Sequence, residues 1–204
     1  ARSLIFNQIK RGKIKIISKI TFDEKNPKNI KYIINGSVSD AEIKLLNQSK
    51  IENINFDFLV DQDVVNLNGI ELLFDKISVT SEKISIKKIN KSTEISGNFK
   101  TKKTKINLKN YKKIININLD LIDDRPIDLS SDNNISFKIN KKFKIEDLSI
   151  ISKLNFDELF TKSKYQDLIY LNNGNILINY TKEEFKINLN SKFHFQNKNY
   201  NNEE

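Results

Sequence analysis

The chain has 204 residues, 38% hydrophobic and 30% charged, with a formal net charge of +9. That is too apolar for disorder and lean for a globule packed on all sides, as expected of strands that give only half their residues to an interior. The absence of Cys excludes disulfides and thiolate metal sites, and a single histidine excludes most nucleophile–base pairs and the usual zinc sets.

Apolar residues recur at every second position, which gives a β-strand one greasy and one wet side. Ile14 to Phe22 is the first such segment, broken by Pro27 and its polar neighbours. Ile30 to Asn35, Val38 to Leu45, Ile54 to Val60, Val64 to Phe74 and Ile77 to Ile86 follow. Ile95 to Thr101 and Thr104 to Leu108 read as a hairpin about Lys102-Lys103. Ile114 to Leu121, Ile135 to Ile139 and Phe143 to Phe156 continue the series, with turns at Asp123-Asp124-Arg125-Pro126 and Asp132-Asn133-Asn134. Asp157 to Leu171 breaks the alternation and predicts a short helix or irregular excursion, started by an Asp157 or Asn155 cap. Asn173-Gly174 suits a turn into the last pair, Asn175 to Tyr180 and Phe185 to Phe195.

Connections this short favour antiparallel neighbours. The expected fold is therefore all-β, a long antiparallel meander, with a closed β-sandwich as the alternative. The chain reads as one β-rich section, 1–204, of a longer protein, with no internal boundary and a polar tail over 196–204. No apolar run approaches the ~20 residues of a spanning helix.

Charge is concentrated. Lys83, Lys87, Lys88, Lys91, Lys100, Lys102, Lys103, Lys105, Lys109, Lys112 and Lys113 fall in one stretch whose only acid is Glu94. The plainest reading is a solvated outer face that also guards against edge-to-edge aggregation. An anionic membrane surface is the next candidate partner. Nucleic acid is disfavoured, because the stretch contains no Arg and Phe99 alternates inward.

Nothing points to catalysis. His194 lies between Phe193 and Phe195, so alternation sets it on the polar side. Asp61 and Asp63, Asp123 and Asp124, and Glu183 and Glu184 fall in expected turns, and no Gly-rich phosphate loop or calcium loop is present. No catalytic residue, metal ligand or cofactor is expected, and the chain reads as non-enzymatic.

The stretch from Gly36 to about Leu108 carries a recurring phrase. It runs through Ala41-Glu42-Ile43-Lys44-Leu45, Ile54-Asn55-Phe56-Asp57-Phe58, Val65-Asn66-Leu67-Asn68-Gly69-Ile70 and Ile95-Ser96-Gly97-Asn98-Phe99. This resembles the repeating strand pattern of the AsmA-like superfamily, the bacterial TamB/YhdP-type envelope proteins. The resemblance implies a sheet curled into a half-open groove with an apolar concave face. It also implies a periplasmic location, inner-membrane attachment through a segment not in this chain, and phospholipid moving between inner and outer membranes.

On that reading Ala41, Ile43, Leu45, Ile54, Phe56, Phe58 and Leu67 would line the groove in its first half. Ile95, Phe99, Ile106, Leu108, Ile115, Ile117, Leu119 and Leu121 would continue the lining. The alternative function is an extracellular β-sandwich or solenoid module for binding or adhesion, in which the same residues form an ordinary core.

Overall fold

The computed structural model describes residues 9–22, 30–44, 49–90, 92–107, 123, 125–161 and 168–196. They form β1 (Ile9–Phe22), β2 (Ile30–Lys44), β3 (Lys50–Asp61), β4 (Val64–Phe74) and β5 (Ile77–Ile89). β6 (Ser92–Ile106), β7 (Ile127–Asn140), β8 (Ile145–Thr161), β9 (Leu168–Tyr180) and β10 (Phe185–Gln196) complete the set. All ten belong to one antiparallel sheet in sequence order, so β1 and β10 are its two edges and the sheet does not close into a barrel.

Substantial packing occurs only between strands that are neighbours in sequence. No second layer covers either face among the described residues. The closed sandwich is thus corrected to a single sheet. Burial agrees: among the described residues only Ala41, Ile54, Ile70, Ile127, Phe156 and Leu159 are buried hydrophobic residues, and no described side chain is fully enclosed.

Residues paired across an antiparallel ladder share a face, so the register traces one flank through the sheet. Ile16, Gly36, Phe58, Leu67 and Ile84 are successive partners, and the row continues through Gly97, Ile135, Ile150, Tyr180 and Phe185. A second row runs Val79, Thr101, Ser131, Leu154, Ile176 and Leu189. Val79 and Ile84 share this face although they are five residues apart, an odd spacing. Extra residues in the strands produce that change of parity. Left-handed backbone marks several of these places: Asp40 (φ 53°), Asn53 (φ 52°), Gly69 (φ 60°) and Asn173 (φ 49°).

These irregularities correct four expectations. Asp157–Thr161 belongs to β8 and Leu168–Leu171 to β9, so neither is helical; residues 162–167 lie outside the described set. The step from Phe156 to Leu159 imitates a helical period, yet both side chains join one cluster on the same flank with Leu129, Leu171 and Ile176. Asn173-Gly174 is not a turn but the irregular interior of β9. Lys102-Lys103 does not turn either, because β6 runs straight through with a register shift between Thr101 and Thr104. Asp132-Asn133-Asn134 lies in mid-β7, where ladder pairing on both sides outweighs its turn propensity. The segments Ile30 to Asn35 and Val38 to Leu45 join as β2, and Ile114 to Leu121 falls outside the described residues.

Two glycines are required by packing. Gly36 faces Phe58 across the β2–β3 ladder, and Gly174 faces Phe156 across β8–β9. A Cβ at Gly174 would lie 2.0 Å from the Phe156 ring, and one at Gly36 would lie 2.3 Å from the Phe58 ring. In both places an aromatic ring covers the bare backbone. Gly174→Val should therefore displace the most buried aromatic of the sheet and destabilise it by about 1–3 kcal/mol, measured as a lower urea midpoint. An unchanged midpoint would show that Phe156 is free to move aside.

Candidate functional site

The most distinctive surface is the apolar flank itself. Of the expected lining residues, the register sets Ala41, Ile43, Ile54, Phe56, Phe58, Leu67, Ile95, Phe99 and Ile106 on this one face. Ala41 and Ile54 are buried and the other seven are half-buried. Leu45, Leu108, Ile115, Ile117, Leu119 and Leu121 lie outside the described residues.

Sequence reasoning missed the barest part of the flank. At one edge β1 exposes Ile14, Ile16, Ile20 and Phe22, the last at 65%; at the other, β10 exposes Phe185, Ile187, Leu189, Phe193 and Phe195, the last at 68%. Each side chain of this size gains about 1.5–3 kcal/mol on full burial, so two bare rows are a strong drive toward a covering partner. The signal was in the sequence, since these residues follow the same two-residue period as the rest.

A polar island interrupts the flank at its centre. Thr101 and Ser131 belong to the second of the two flank rows, that of Val79, and Asn133 and Ser152 to the row Phe99, Asn133, Ser152 that lies between the two. The Asn133 amide donates to Phe99 O at 3.1 Å and to Ser131 Oγ at 2.8 Å. Ser152 Oγ donates to Asn133 Oδ1. The Ser131 backbone N–H donates to Thr101 Oγ1 at 3.0 Å, and the two hydroxyl oxygens are 3.0 Å apart. Bonding of this kind offsets the cost of polar groups on an apolar face and fixes the register there.

The opposite face carries most of the charge, and pairing across strands tempers the lysine cluster. Lys100 Nζ is 2.8 Å from Glu82 and 3.9 Å from Asp132. Lys103 pairs with Asp157, while Lys88, two residues past Ile86 and so on the flank side at the end of β5, is 3.8 Å from Asp63. Acids from the β3–β4 turn, β5, β7 and β8 thus reach lysines that look isolated along the chain. Lys83, Lys87, Lys102 and Lys105 have no ion pair among the described residues, while Lys91, Lys109, Lys112 and Lys113 lie outside them.

His194 faces Tyr170 across the β9–β10 ladder, on the side away from Phe193 and Phe195, with ring centroids 6.2 Å apart. Tyr170 stacks on Phe160 at 4.7 Å, and the Arg125 guanidinium sits 3.9 Å above the Phe160 ring. The Tyr170 hydroxyl donates to Glu158 at 2.5 Å, which holds the phenol above its ordinary pKa. The described residues hold no group of three or more potential metal ligands.

The hydrogen bond from Lys100 pulls Glu82 below the ordinary glutamate pKa, and Lys138 does the same to Asp147 at 2.8 Å. The same bonds raise Lys100 and Lys138. What the lowered carboxylates contribute is present above their unfolded pKa and is lost as pH falls through the folded one, below about pH 4. What the raised lysines contribute is present below their unfolded pKa and is lost as pH rises past about 10.5. All four groups are exposed to solvent, so the effects are small. In an NMR titration Glu82 should show a midpoint below that of a free glutamate, and Lys100→Met should return it to the ordinary value. A midpoint indifferent to Lys100 would mean the pair does not persist in solution.

No family model matches this chain, and neither a curated protein nor a solved structure shows significant similarity to it.

Proposed function

We propose that this chain is a non-enzymatic section of an AsmA-like envelope protein whose apolar flank shelters phospholipid acyl chains on their way between inner and outer membranes. One observation carries the reading: a ten-stranded sheet presents a face of Ile, Leu, Val and Phe with no protein layer over it among the described residues. Water is a poor cover for such a face, and neither a second sheet nor a barrel closure, the usual covers, is found among the described residues. Hydrocarbon is chemically the best match. The proposed geometry is a half-open groove with the apolar flank inside and the charged face outward. The proposed location is the periplasm, with attachment to the inner membrane through a segment outside this chain.

The lysines without an ion pair among the described residues, Lys83, Lys87, Lys102 and Lys105, are the proposed contacts with an anionic membrane surface. Each lysine close to such a surface contributes about 1 kcal/mol, which falls away with salt.

The test is direct. Protein purified without detergent, extracted with organic solvent and analysed by mass spectrometry, should yield phospholipid that stays with the protein through gel filtration. Ile86→Asp, on the flank opposite Val65 and Ile95, should lower the lipid recovered several-fold with β-sheet content unchanged. Recovery of no lipid from the folded wild-type chain would refute the proposal.

A further inference from the structure

The polar island on the apolar flank has one hydrogen too many. Both hydrogens of the Asn133 amide, the Ser152 hydroxyl hydrogen and the Ser131 backbone N–H each have an acceptor within the group. The Thr101 and Ser131 hydroxyls bring two more hydrogens but share one oxygen–oxygen contact of 3.0 Å. Only one hydrogen can lie between them. Whichever hydroxyl donates, the other O–H is left without an acceptor among the described residues. Both side chains are only half-buried, so this donor is within reach of a molecule lying on the flank.

The surroundings decide what that molecule offers. The flanking rows on the same face are Ile84, Gly97, Ile135 and Ile150 on one side and Thr104, Leu129 and Phe156 on the other, none of them charged. Lys100 precedes Thr101 but is engaged with Glu82 and Asp132 on the reverse face. An anionic oxygen at the island would therefore be a charge without a counter-ion in an apolar setting, which is strongly unfavourable. A neutral acceptor meets no such penalty, and pure hydrocarbon would leave the donor unused.

We infer that the Thr101–Ser131 hydroxyl pair is a binding point for the carbonyl oxygen of an acyl ester, whose hydrocarbon then lies along the flanking Ile, Leu and Phe rows. This rests on the acyl-sheltering function proposed above and adds the chemical group that is recognised. The ester fixes where along the strands a chain begins, which an unbroken apolar face would leave undetermined. A neutral ester and the ester linkage of a phospholipid present the same acceptor.

The experiment uses the full chain without detergent and two probes labelled with carbon-13 at the ester carbonyl, methyl laurate and dilauroyl phosphatidylglycerol. Unlabelled dodecane serves as the hydrocarbon control. A hydrogen bond lowers the carbonyl stretching frequency, so infrared spectra of bound probe read the contact itself. Wild type, Thr101→Val and Ser131→Ala should all show the lowered band, because each single variant still retains one free hydroxyl hydrogen.

The double variant has none. It frees instead one Asn133 amide hydrogen and the residue-131 N–H, so the hydroxyl-bonded band should move to a different frequency, ester should bind about threefold to tenfold more weakly, and dodecane binding should be unchanged. A lowered band with either ester supports the assignment and identifies which source is held. Dodecane binding with an unshifted ester band in wild type overturns this inference alone, and does so without any variant having to fold. Binding of neither hydrocarbon nor ester overturns the acyl-sheltering function and this inference with it.

Discussion

Register is the constraint on which this molecule depends. Each strand pairs residue for residue with the next, so the side of the sheet a side chain occupies is inherited from its partner. A slip of one residue would turn a whole apolar row toward the charged face. Ten strands keep one flank apolar only because irregularities on neighbouring strands compensate each other. The parity change between Leu67 and Leu72 in β4 is matched between Val79 and Ile84 in β5. Within the strands, Asp, Asn and Gly stand where the backbone turns left-handed, the residue types that bear that conformation at least cost.

Much of this architecture was legible in the sequence because a two-residue period is a direct imprint of the pleat. β4 has the bounds expected of it, and β5, β8 and β10 differ at their ends. What failed were places where one residue is added. An extra residue turns a spacing of two into three, which along a single strand cannot be told from the start of a helix or a turn. That is why Asp157 to Leu171 looked helical and why Asn173-Gly174 and Lys102-Lys103 looked like corners. Only the partner strand resolves the ambiguity, and pairing is not written in any one segment.

The surfaces divide in the same way. The apolar flank could be read position by position, whereas charge could not. The lysine stretch has a single acid along the chain, yet Glu82, Asp132 and Asp157 are brought to it by three different strands. The polar island was equally hidden, because Asp132-Asn133-Asn134 has the composition of a turn. Its signature was present as polar residues at positions due to be apolar: Thr101 two after Phe99, and Ser152 between Ile150 and Leu154. These two fall beside Ser131 and Asn133 only once the register is known.

The neighbour-only packing of the sheet governs how it comes apart. Each inner strand leans on the one before and the one after, and among the described residues no distant layer ties the ends together. Such an assembly behaves as a one-dimensional chain of coupled units, with cohesion set by successive interfaces. Fraying begins at β1 and β10, which hold a single neighbour each, and advances inward like an opening zip fastener. Folding runs the other way: hairpins form locally and extend the ribbon, sparing it the slow closure of remote segments.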